Sequence, residues 1–98
     1  MKEILNSLSK LLENRTRLGI MSALMVNKSI DFNTLKELLD VTDGNLASHL
    51  KMLEKNELIE VKKQFIGKKP KTNYSITPEG RNVFKRHLGA LERLMNKS

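Results

Sequence analysis

The sequence has no cysteine, no tryptophan and only two prolines among its 98 residues. Without cysteine the chain can form neither a disulfide framework nor a thiolate metal site, which fits a reducing compartment. No apolar run approaches the roughly 18 residues that span a membrane, and the N-terminal MKEILNSLSKLLENR lacks the apolar core of a signal peptide. We therefore expect a soluble, cytoplasmic protein of one domain.

Signatures of catalysis and of cofactor binding are also missing. The five glycines are scattered and form no phosphate-cradling loop, and no pairing of a nucleophile with a base is visible. The two histidines, His49 and His87, fall in different predicted helices, and no cluster of residues has metal-ligand spacing. We expect no enzyme activity, no metal and no cofactor.

Positive charge is concentrated in the C-terminal part of the chain. Residues 1–57 carry eight lysines and arginines and eight acidic residues, whereas residues 58–98 carry ten against three, so the formal charge of +7 lies there. Five of these lysines fall within ten residues, 62–71, with no acid among them. Such a patch indicates either a polyanionic partner or a merely solvated segment, and charge alone favours neither.

Apolar spacing predicts four helices in the first half of the chain. The first spans about residues 1–13 and ends at Asn14, which caps the second; a very short strand at 29–31 precedes a third helix that ends by Asp40. The stripes that define these three helices are Ile4, Leu5, Leu8, Leu11 and Leu12, then Leu18, Met21, Leu24 and Met25, then Phe32, Leu35, Leu38 and Leu39.

A fourth helix, residues 42–56, follows after a turn of two or three residues. Thr42 is a suitable N-cap, and Val41 and Leu46 have the spacing of a hydrophobic staple. Asp40 stands where such turns often hold glycine, although aspartate tolerates the left-handed conformation. Two helices joined by a tight turn, the second amphipathic, are typical of a helix-turn-helix.

From Leu58 onward the apolar period changes to two, which predicts a β-hairpin with a basic loop at 67–71 (GKKPK). Thr77 and Pro78 then begin a last helix, residues 78–96. The predicted fold is mainly α with a small β-hairpin, in the order helix, helix, helix, turn, helix, hairpin, helix. The hairpin thus follows directly on the second helix of the helix-turn-helix.

The outward face of the fourth helix has an unusual composition. On a helical wheel its exposed positions hold glycine, short polar groups, methionine and lysine, with no acid; they are Gly44, Asn45, Ser48, Lys51, Met52 and Lys55. A helix that enters a DNA major groove needs small residues at its N-terminal end, polar groups for base edges and lysine for phosphate. Alternatively, first-turn residues are under weak helix-propensity constraint, and Asp43 merely favours the helix dipole.

Two further features of the sequence bear on nucleic-acid binding. His49 lies at the edge of the buried stripe and hydrogen-bonds either a phosphate or neighbouring backbone. Readers of single-stranded nucleic acid expose stacking aromatics, whereas Phe32, Phe65, Tyr74 and Phe84 all occupy core-like positions. Single-strand recognition is therefore disfavoured.

Three segments carry a resemblance to a known family: RTRLGIMSAL (15–24), FNTLKELLDVTDGNLASHLKMLEKNELI (32–59) and KKPKTNYSITPEGR (68–81). The chain resembles winged helix-turn-helix transcriptional regulators of the MarR/ArsR-like kind, particularly their short single-domain group. The resemblance implies a dimer whose recognition helices, here 42–56, enter successive major grooves. Each wing, here 62–72, would touch the backbone or the minor groove.

The predicted DNA-binding residues follow from the helical wheel and from this resemblance. They are Arg17, Thr42, Gly44, Asn45, Ser48, His49, Lys51, Met52, Lys55, Lys63, Lys68, Lys69, Lys71 and Thr72. Arg17 matches a frequent arginine of the family, with either a phosphate contact or a structural role. Metal response is disfavoured because the cysteine or clustered histidine ligands of ArsR-like sensors are missing, and an effector pocket would be small or absent.

The first and last helices are not needed for the three-helix core and its wing, yet both carry apolar stripes. We expect these stripes to form a homodimer interface, made of Ile4, Leu8, Leu11, Phe84, Leu88, Leu91 and Met95. The alternative is that they only cover their own domain. A two-fold dimer would place its recognition helices roughly 34 Å apart, which implies a palindromic operator in double-stranded DNA.

The function that the sequence favours is a sequence-specific DNA-binding transcriptional regulator, acting as a repressor by occupying promoter DNA. Two other classes stay open. One is a winged-helix module that binds protein, which would expose more aromatic residues. The other is a nucleic-acid-binding protein without sequence preference.

Overall fold

The structure is a computed structural model that describes residues 1–96. In chain order the elements are α1 (Lys2–Asn6), a 3₁₀ turn (Lys10–Glu13), α2 (Arg15–Val26), β1 (Ile30–Asp31), α3 (Phe32–Leu39), α4 (Asp43–Lys55), β2 (Ile59–Ile66), β3 (Lys69–Ile76) and α5 (Pro78–Asn96). The predicted fold class, mainly helical with a small β-hairpin, is confirmed. The helix-turn-helix is formed by α3 and α4, and the wing by β2 and β3.

Side-chain caps begin the three helices of the core. The Asn14 side chain accepts a hydrogen bond from the Arg17 amide at 3.0 Å, Asp31 accepts one from Thr34 at 3.3 Å, and Thr42 accepts one from Asn45 at 3.2 Å. Each cap satisfies an amide that the first helical turn leaves without a partner. The predicted caps at Asn14 and Thr42 are both present.

The turn between α3 and α4 depends on a left-handed residue. Asp40 has φ 51° and ψ 56°, and its amide donates to the carbonyl of Lys36 at 2.9 Å. This conformation normally favours glycine, but aspartate is one of the few other residues that adopt it readily. The missing glycine therefore leaves the helix-turn-helix geometry intact.

A single cluster of buried side chains holds the helices and the sheet together. Leu24, Leu35, Leu46 and Leu53 are fully buried in it, and burial of each stabilises the fold by about 1.5–3 kcal/mol. The cluster also contains Leu12 from the 3₁₀ turn and Phe84 from α5. The N-terminal segment and the last helix thus contribute to the core, contrary to the expectation that the core does without them.

The predicted first helix is interrupted. It ends at Asn6, and the chain runs through residues 7–9 before the 3₁₀ turn begins. Ser9 is extended (φ −91°, ψ 125°), and its amide donates to Nδ1 of the buried His87 at 2.9 Å. This amide bonds a side chain of α5 and not the carbonyl four residues earlier. The prediction of one continuous helix over residues 1–13 is therefore wrong.

The sheet is antiparallel, with strand order β1-β3-β2. Ile66 pairs with Lys69, so the hairpin turn is only Gly67 and Lys68, shorter than the predicted loop 67–71. Glycine at the first central position with φ +66° is the pattern of a type II′ turn. Pro70 lies in β3 beyond the residues that pair with β1, where the open edge tolerates a proline.

The last helix begins at Pro78, as predicted, and packs closely on the start of the wing. The hydroxyl of Thr77 accepts from the Gly80 amide at 2.9 Å and donates to the carbonyl of Glu57 at 2.7 Å. A Cβ at Gly80 would lie 2.1 Å from the carbonyl oxygen of Leu58. Glycine at this position is therefore what allows α5 to approach β2.

Candidate nucleic-acid interface

The outward face of α4 is open to solvent along its length. The exposed residues of this face are Gly44, Asn45, Ser48, Lys51, Met52 and Lys55. The opposite stripe, Leu46, Leu50 and Leu53, is buried in the core. A Cβ placed on Gly44 would meet no atom within 4 Å, so nothing in the fold itself requires glycine there. The open space suits close approach by an external ligand.

The N-terminus of α4 carries one acid, and that acid is paired. Oδ1 of Asp43 lies 2.9 Å from Nζ of Lys36 on α3. Both side chains are substantially exposed, so the pair contributes little to stability. Its local effect is to offset a negative charge that would otherwise oppose a phosphate at the positive end of the helix.

Arg17 connects the N-terminal segment to α4. Its Nε donates to the carbonyl of Leu11 at 2.7 Å, and its Nη1 lies 3.0 Å from Nδ1 of His49. Of the two roles that the sequence allowed for Arg17, the structure shows these structural contacts. The half-buried His49 therefore has its hydrogen-bond partner within the chain, on α2.

The contact with Arg17 determines the protonation of His49. A guanidinium only donates hydrogen bonds, so Nδ1 must be the acceptor and the proton of the neutral ring lies on Nε2. Burial lowers the pKa of His49 from its ordinary value, and the positive charge of Arg17 lowers it further. The neutral form with an Nε2–H donor is thus favoured at the edge of the α4 face.

A groove separates α4 from the wing. Ala47, Lys51 and Glu54 line it on the helix side, and Val61, Lys63 and Thr72 line it on the sheet side. Lys51 and Lys63 therefore face one cleft, as expected for two elements that contact the same ligand. Neither Ala47 nor Glu54 is among the residues that the helical wheel predicts for the binding face; packing of α4 against the sheet brings both to the groove.

The predicted wing lysines do not all lie on the same side. Because side chains alternate along a strand, the register places Lys63 and Thr72 with Val61 and Tyr74, on the side that faces α4. Lys69 and Lys71 belong to the other face, and Lys68 lies in the turn. A hydrogen bond from Thr34 and the charge of Lys71 both lower the pKa of Asp31, near α3. Lys71 lines one cavity together with Thr34 and Leu38 of α3, so it lies on the α3 side of the wing.

Phe65 corrects one expectation. Its alternation with Val61 predicts a core-like position, yet 76% of its surface is exposed. It lies opposite Pro70, one residue pair before the end of the ladder. The pattern correctly identifies its face, but the wing extends past the helices, so no core exists there to cover it.

The predicted dimer residues divide into two groups. Ile4 and Phe84 are buried in their own chain, and Leu11 packs against the same core. Leu88 and Leu91 are 45% and 39% exposed, and Met95 is exposed near the end of α5. Leu8 is half-buried. Leu5 is also exposed on α1, which packs against α5. Exposed apolar side chains thus lie on both α5 and α1, and we refer to them as the apolar strip.

Residues 1–96 contain neither a membrane-spanning helix nor a metal-binding cluster. No helix among them is long and apolar enough to cross a membrane. No group of three or more histidine, aspartate or glutamate side chains in the same range is arranged to hold a metal ion.

Comparison with known proteins gives consistent matches. The sequence model of a family described as "Winged helix DNA-binding domain" matches residues 16–95. An uncharacterized protein of Methanocaldococcus jannaschii is 40% identical over 79 residues, covering 81% of this chain and 86% of that protein.

Solved structures of similar shape include a protein of Pyrococcus horikoshii described as a transcriptional regulator homologue. It has a TM-score of 0.85 and 38% identity, covering 98% of this chain and 93% of that one. A MarR-family transcriptional regulator of Enterococcus faecalis has a TM-score of 0.77 at 24% identity, covering 98% and 84%. At that identity the second match supports the fold alone.

Proposed function

Since the chain belongs to the family of winged helix DNA-binding domains, we propose that it is a sequence-specific transcriptional regulator that reads duplex DNA with α4. The observation that carries the proposal is the open outer face of α4. Its exposed glycine, amide, hydroxyl and lysine groups are not covered by any part of the described chain. The relative from Pyrococcus horikoshii is described as a transcriptional regulator homologue, and the proposal extends that role to this chain.

The division of labour follows from the chemistry of each group. Asn45 and Ser48 offer an amide and a hydroxyl for base edges in the major groove, while Gly44 allows the backbone close to the DNA. Lys51, Lys55 and Lys63 supply charge for phosphates on either side of the groove. His49, with its proton on Nε2, adds a neutral donor at the edge of this surface.

The proposed active form is a homodimer. The exposed side chains of Leu5, Leu88 and Leu91 give a second copy apolar surface to cover, and exposed apolar surface of this kind commonly marks an interface. A two-fold dimer would present its α4 helices to successive major grooves and so require a palindromic operator. Bound in the cytoplasm across a promoter, such a dimer would repress by occupying the DNA.

Selection of bound fragments from a random duplex pool tests sequence reading directly. We expect enrichment of a site with two-fold symmetry. On that site, Asn45→Ala or Ser48→Ala should cost about 1–3 kcal/mol, with little effect on random duplex.

Two outcomes would count against the proposal. Equal losses on selected and random duplexes would replace sequence reading with nonspecific nucleic-acid binding. An absence of duplex affinity even in dilute salt would reject DNA binding and favour a module that binds protein.

A further inference from the structure

The tip of the wing carries apolar side chains that the fold does not use. Phe65 is 76% exposed and Ile66 is 59% exposed, next to the two-residue turn at Gly67 and Lys68. Pro70, also exposed, is the cross-strand neighbour of Phe65. None of these residues belongs to the buried cluster or packs on it, so their apolar character contributes little to folding.

Register separates these side chains onto two faces. Ile59, Val61, Lys63 and Phe65 share one face of β2, and their partners on β3 are Ile76, Tyr74, Thr72 and Pro70. The inner end of this row packs against α4, and Val61, Lys63 and Thr72 line the groove beside it. Phe65 and Pro70 therefore continue outward on the side of the wing that faces the recognition helix. Ile66 belongs to the other face.

The charged residues near this apolar pair in the hairpin are all lysines. From Val61 to Thr77 the chain has five lysines and no acid. Lys63 precedes Phe65 by two residues on the same face, and Lys69 adjoins Pro70. An apolar tip bordered by lysines is complementary to a surface with dense negative charge and an apolar interior, which describes a DNA duplex with its stacked bases.

We propose that Phe65 and Pro70 form an apolar wedge that enters the minor groove beside the site read by α4 and partly unstacks a base step. This inference rests on the proposed function. Val61 is the last residue of its row on β2 that is not fully exposed, and at about 3.3 Å per residue Phe65 lies roughly 13 Å farther out along the strand. The wing can therefore extend to the groove that flanks the one occupied by α4.

The chemistry of the minor groove favours such a contact. Its hydrogen-bond pattern distinguishes base pairs poorly, so a polar tip would gain little sequence information there. Phenylalanine and proline are among the side chains that proteins insert between base steps from this groove, which kinks the duplex. The wedge would thus add preference for steps that unstack easily, typically pyrimidine–purine steps.

The experiment compares three variants of the full chain on the selected duplex, with affinity measured across a salt series. Phe65→Ala removes the wedge, Ile66→Ala removes an exposed apolar side chain from the opposite face, and Lys63→Ala removes a charge. We expect Phe65→Ala to weaken binding by roughly tenfold, the scale of one base–aromatic contact, with an unchanged salt slope. Lys63→Ala should lower the slope by about one, and Ile66→Ala should change little.

Unstacking is measured with 2-aminopurine placed at steps flanking the α4 site, since its fluorescence rises when it leaves the stack. Wild type should raise the signal at one step per half-site, and Phe65→Ala should abolish the rise. Equal losses from Phe65→Ala and Ile66→Ala, or an unchanged 2-aminopurine signal with wild type, would overturn the wedge. A shift in sedimentation caused by Phe65→Ala would also overturn it, because the tip would then join copies of the chain. If wild type binds no duplex, the proposed function itself fails, which is a distinct result.

Discussion

Nη1 of Arg17 lies 3.0 Å from Nδ1 of His49, so a residue of α2 holds the ring of a residue on α4. The same guanidinium is anchored to the carbonyl of Leu11 through Nε. Two donors in a rigid planar group make this bridge possible, and a lysine ammonium at the end of a flexible stem does not reproduce it.

The Arg17→Lys variant distinguishes two roles of Arg17, the positioning of His49 and the binding of a DNA phosphate. If Arg17 positions His49, the lysine variant should lose about 1–2 kcal/mol of stability, because two hydrogen bonds of a half-buried group are lost. It should also weaken binding to the selected duplex while leaving the salt slope unchanged. Urea unfolding and fluorescence anisotropy measure the two effects. Full affinity in Arg17→Lys, with a slope reduced by about one in Arg17→Ala, would instead indicate a phosphate contact.

Gly44→Ala should raise stability and lower DNA affinity at once. Nothing lies within 4 Å of the added Cβ, and alanine is favoured over glycine in a helix by up to about 1 kcal/mol. The methyl group would, however, obstruct close approach of the helix to the bases, so specific binding should weaken by about 1–3 kcal/mol. Thermal unfolding and anisotropy test the pair of effects, and unchanged affinity would remove Gly44 from the interface.

Gly80→Ala should destabilise the fold by about 1–3 kcal/mol, because its Cβ would overlap the carbonyl oxygen of Leu58. Gly89→Ala, in the same helix, is the matched control: its Cβ meets nothing within 4 Å. The denaturant concentration at the midpoint of unfolding should therefore fall for Gly80→Ala and rise for Gly89→Ala. Similar midpoints would show that α5 can shift away from the wing at little cost.

Stability should fall as pH drops below about 6.5, the ordinary histidine pKa. Burial lowers the pKa of His87, and the negative charge of Glu13 raises it by a smaller amount. The pKa of His49 is lowered as well. A lowered pKa means that the unfolded chain binds more protons in this range, so acid favours unfolding. Protonated His87 would also set Nδ1–H against the amide of Ser9.

His87→Gln isolates the contribution of His87, since glutamine does not titrate and its oxygen can accept from Ser9. Urea unfolding at pH 7.5 and pH 5.5 should show a smaller loss for this variant than for wild type. An identical pH dependence in the two proteins would assign the effect to His49 or to the carboxylates.

Leu91→Asp should yield monomers in analytical ultracentrifugation and weaken operator binding, because a charge would lie in the proposed dimer interface. Asn82→Asp introduces the same side chain at an exposed position on the opposite side of α5 and should leave the assembly unchanged. If Leu91→Asp remains a dimer, the α5 strip is not the interface.

Local signals in the sequence predict most of the fold. Asn14, Thr42 and Thr77 mark helix starts because each bonds an amide only three residues away. The alternation from Ile59 to Ile76 predicts the hairpin for a similar reason, since strand period is a property of neighbouring residues.

What the sequence did not reveal depends on contacts between distant residues. Arg17 and His49 are 32 positions apart, and Ser9 and His87 are 78 apart. No periodicity relates such residues, and the bond of Ser9 is what interrupts the predicted first helix. Alternation does not predict the exposure of Phe65. It identifies the face of the sheet on which a side chain lies, but not how far along the strands the helices cover that face.

β1 pairs with β3 only through Ile30 and Asp31, opposite Tyr74 and Asn73. Asp31 also caps α3, so one residue of β1 connects β3 of the wing to the start of the helix-turn-helix. The inner end of the wing is thereby joined to the helix-turn-helix, whereas residues beyond Asn73 and Lys62 form a ribbon of β2 and β3 that β1 does not pair with. Because two-stranded ribbons vary most in twist, we expect the wing to adjust to duplexes of different curvature by torsion of this ribbon, while its inner end stays in place beside α3.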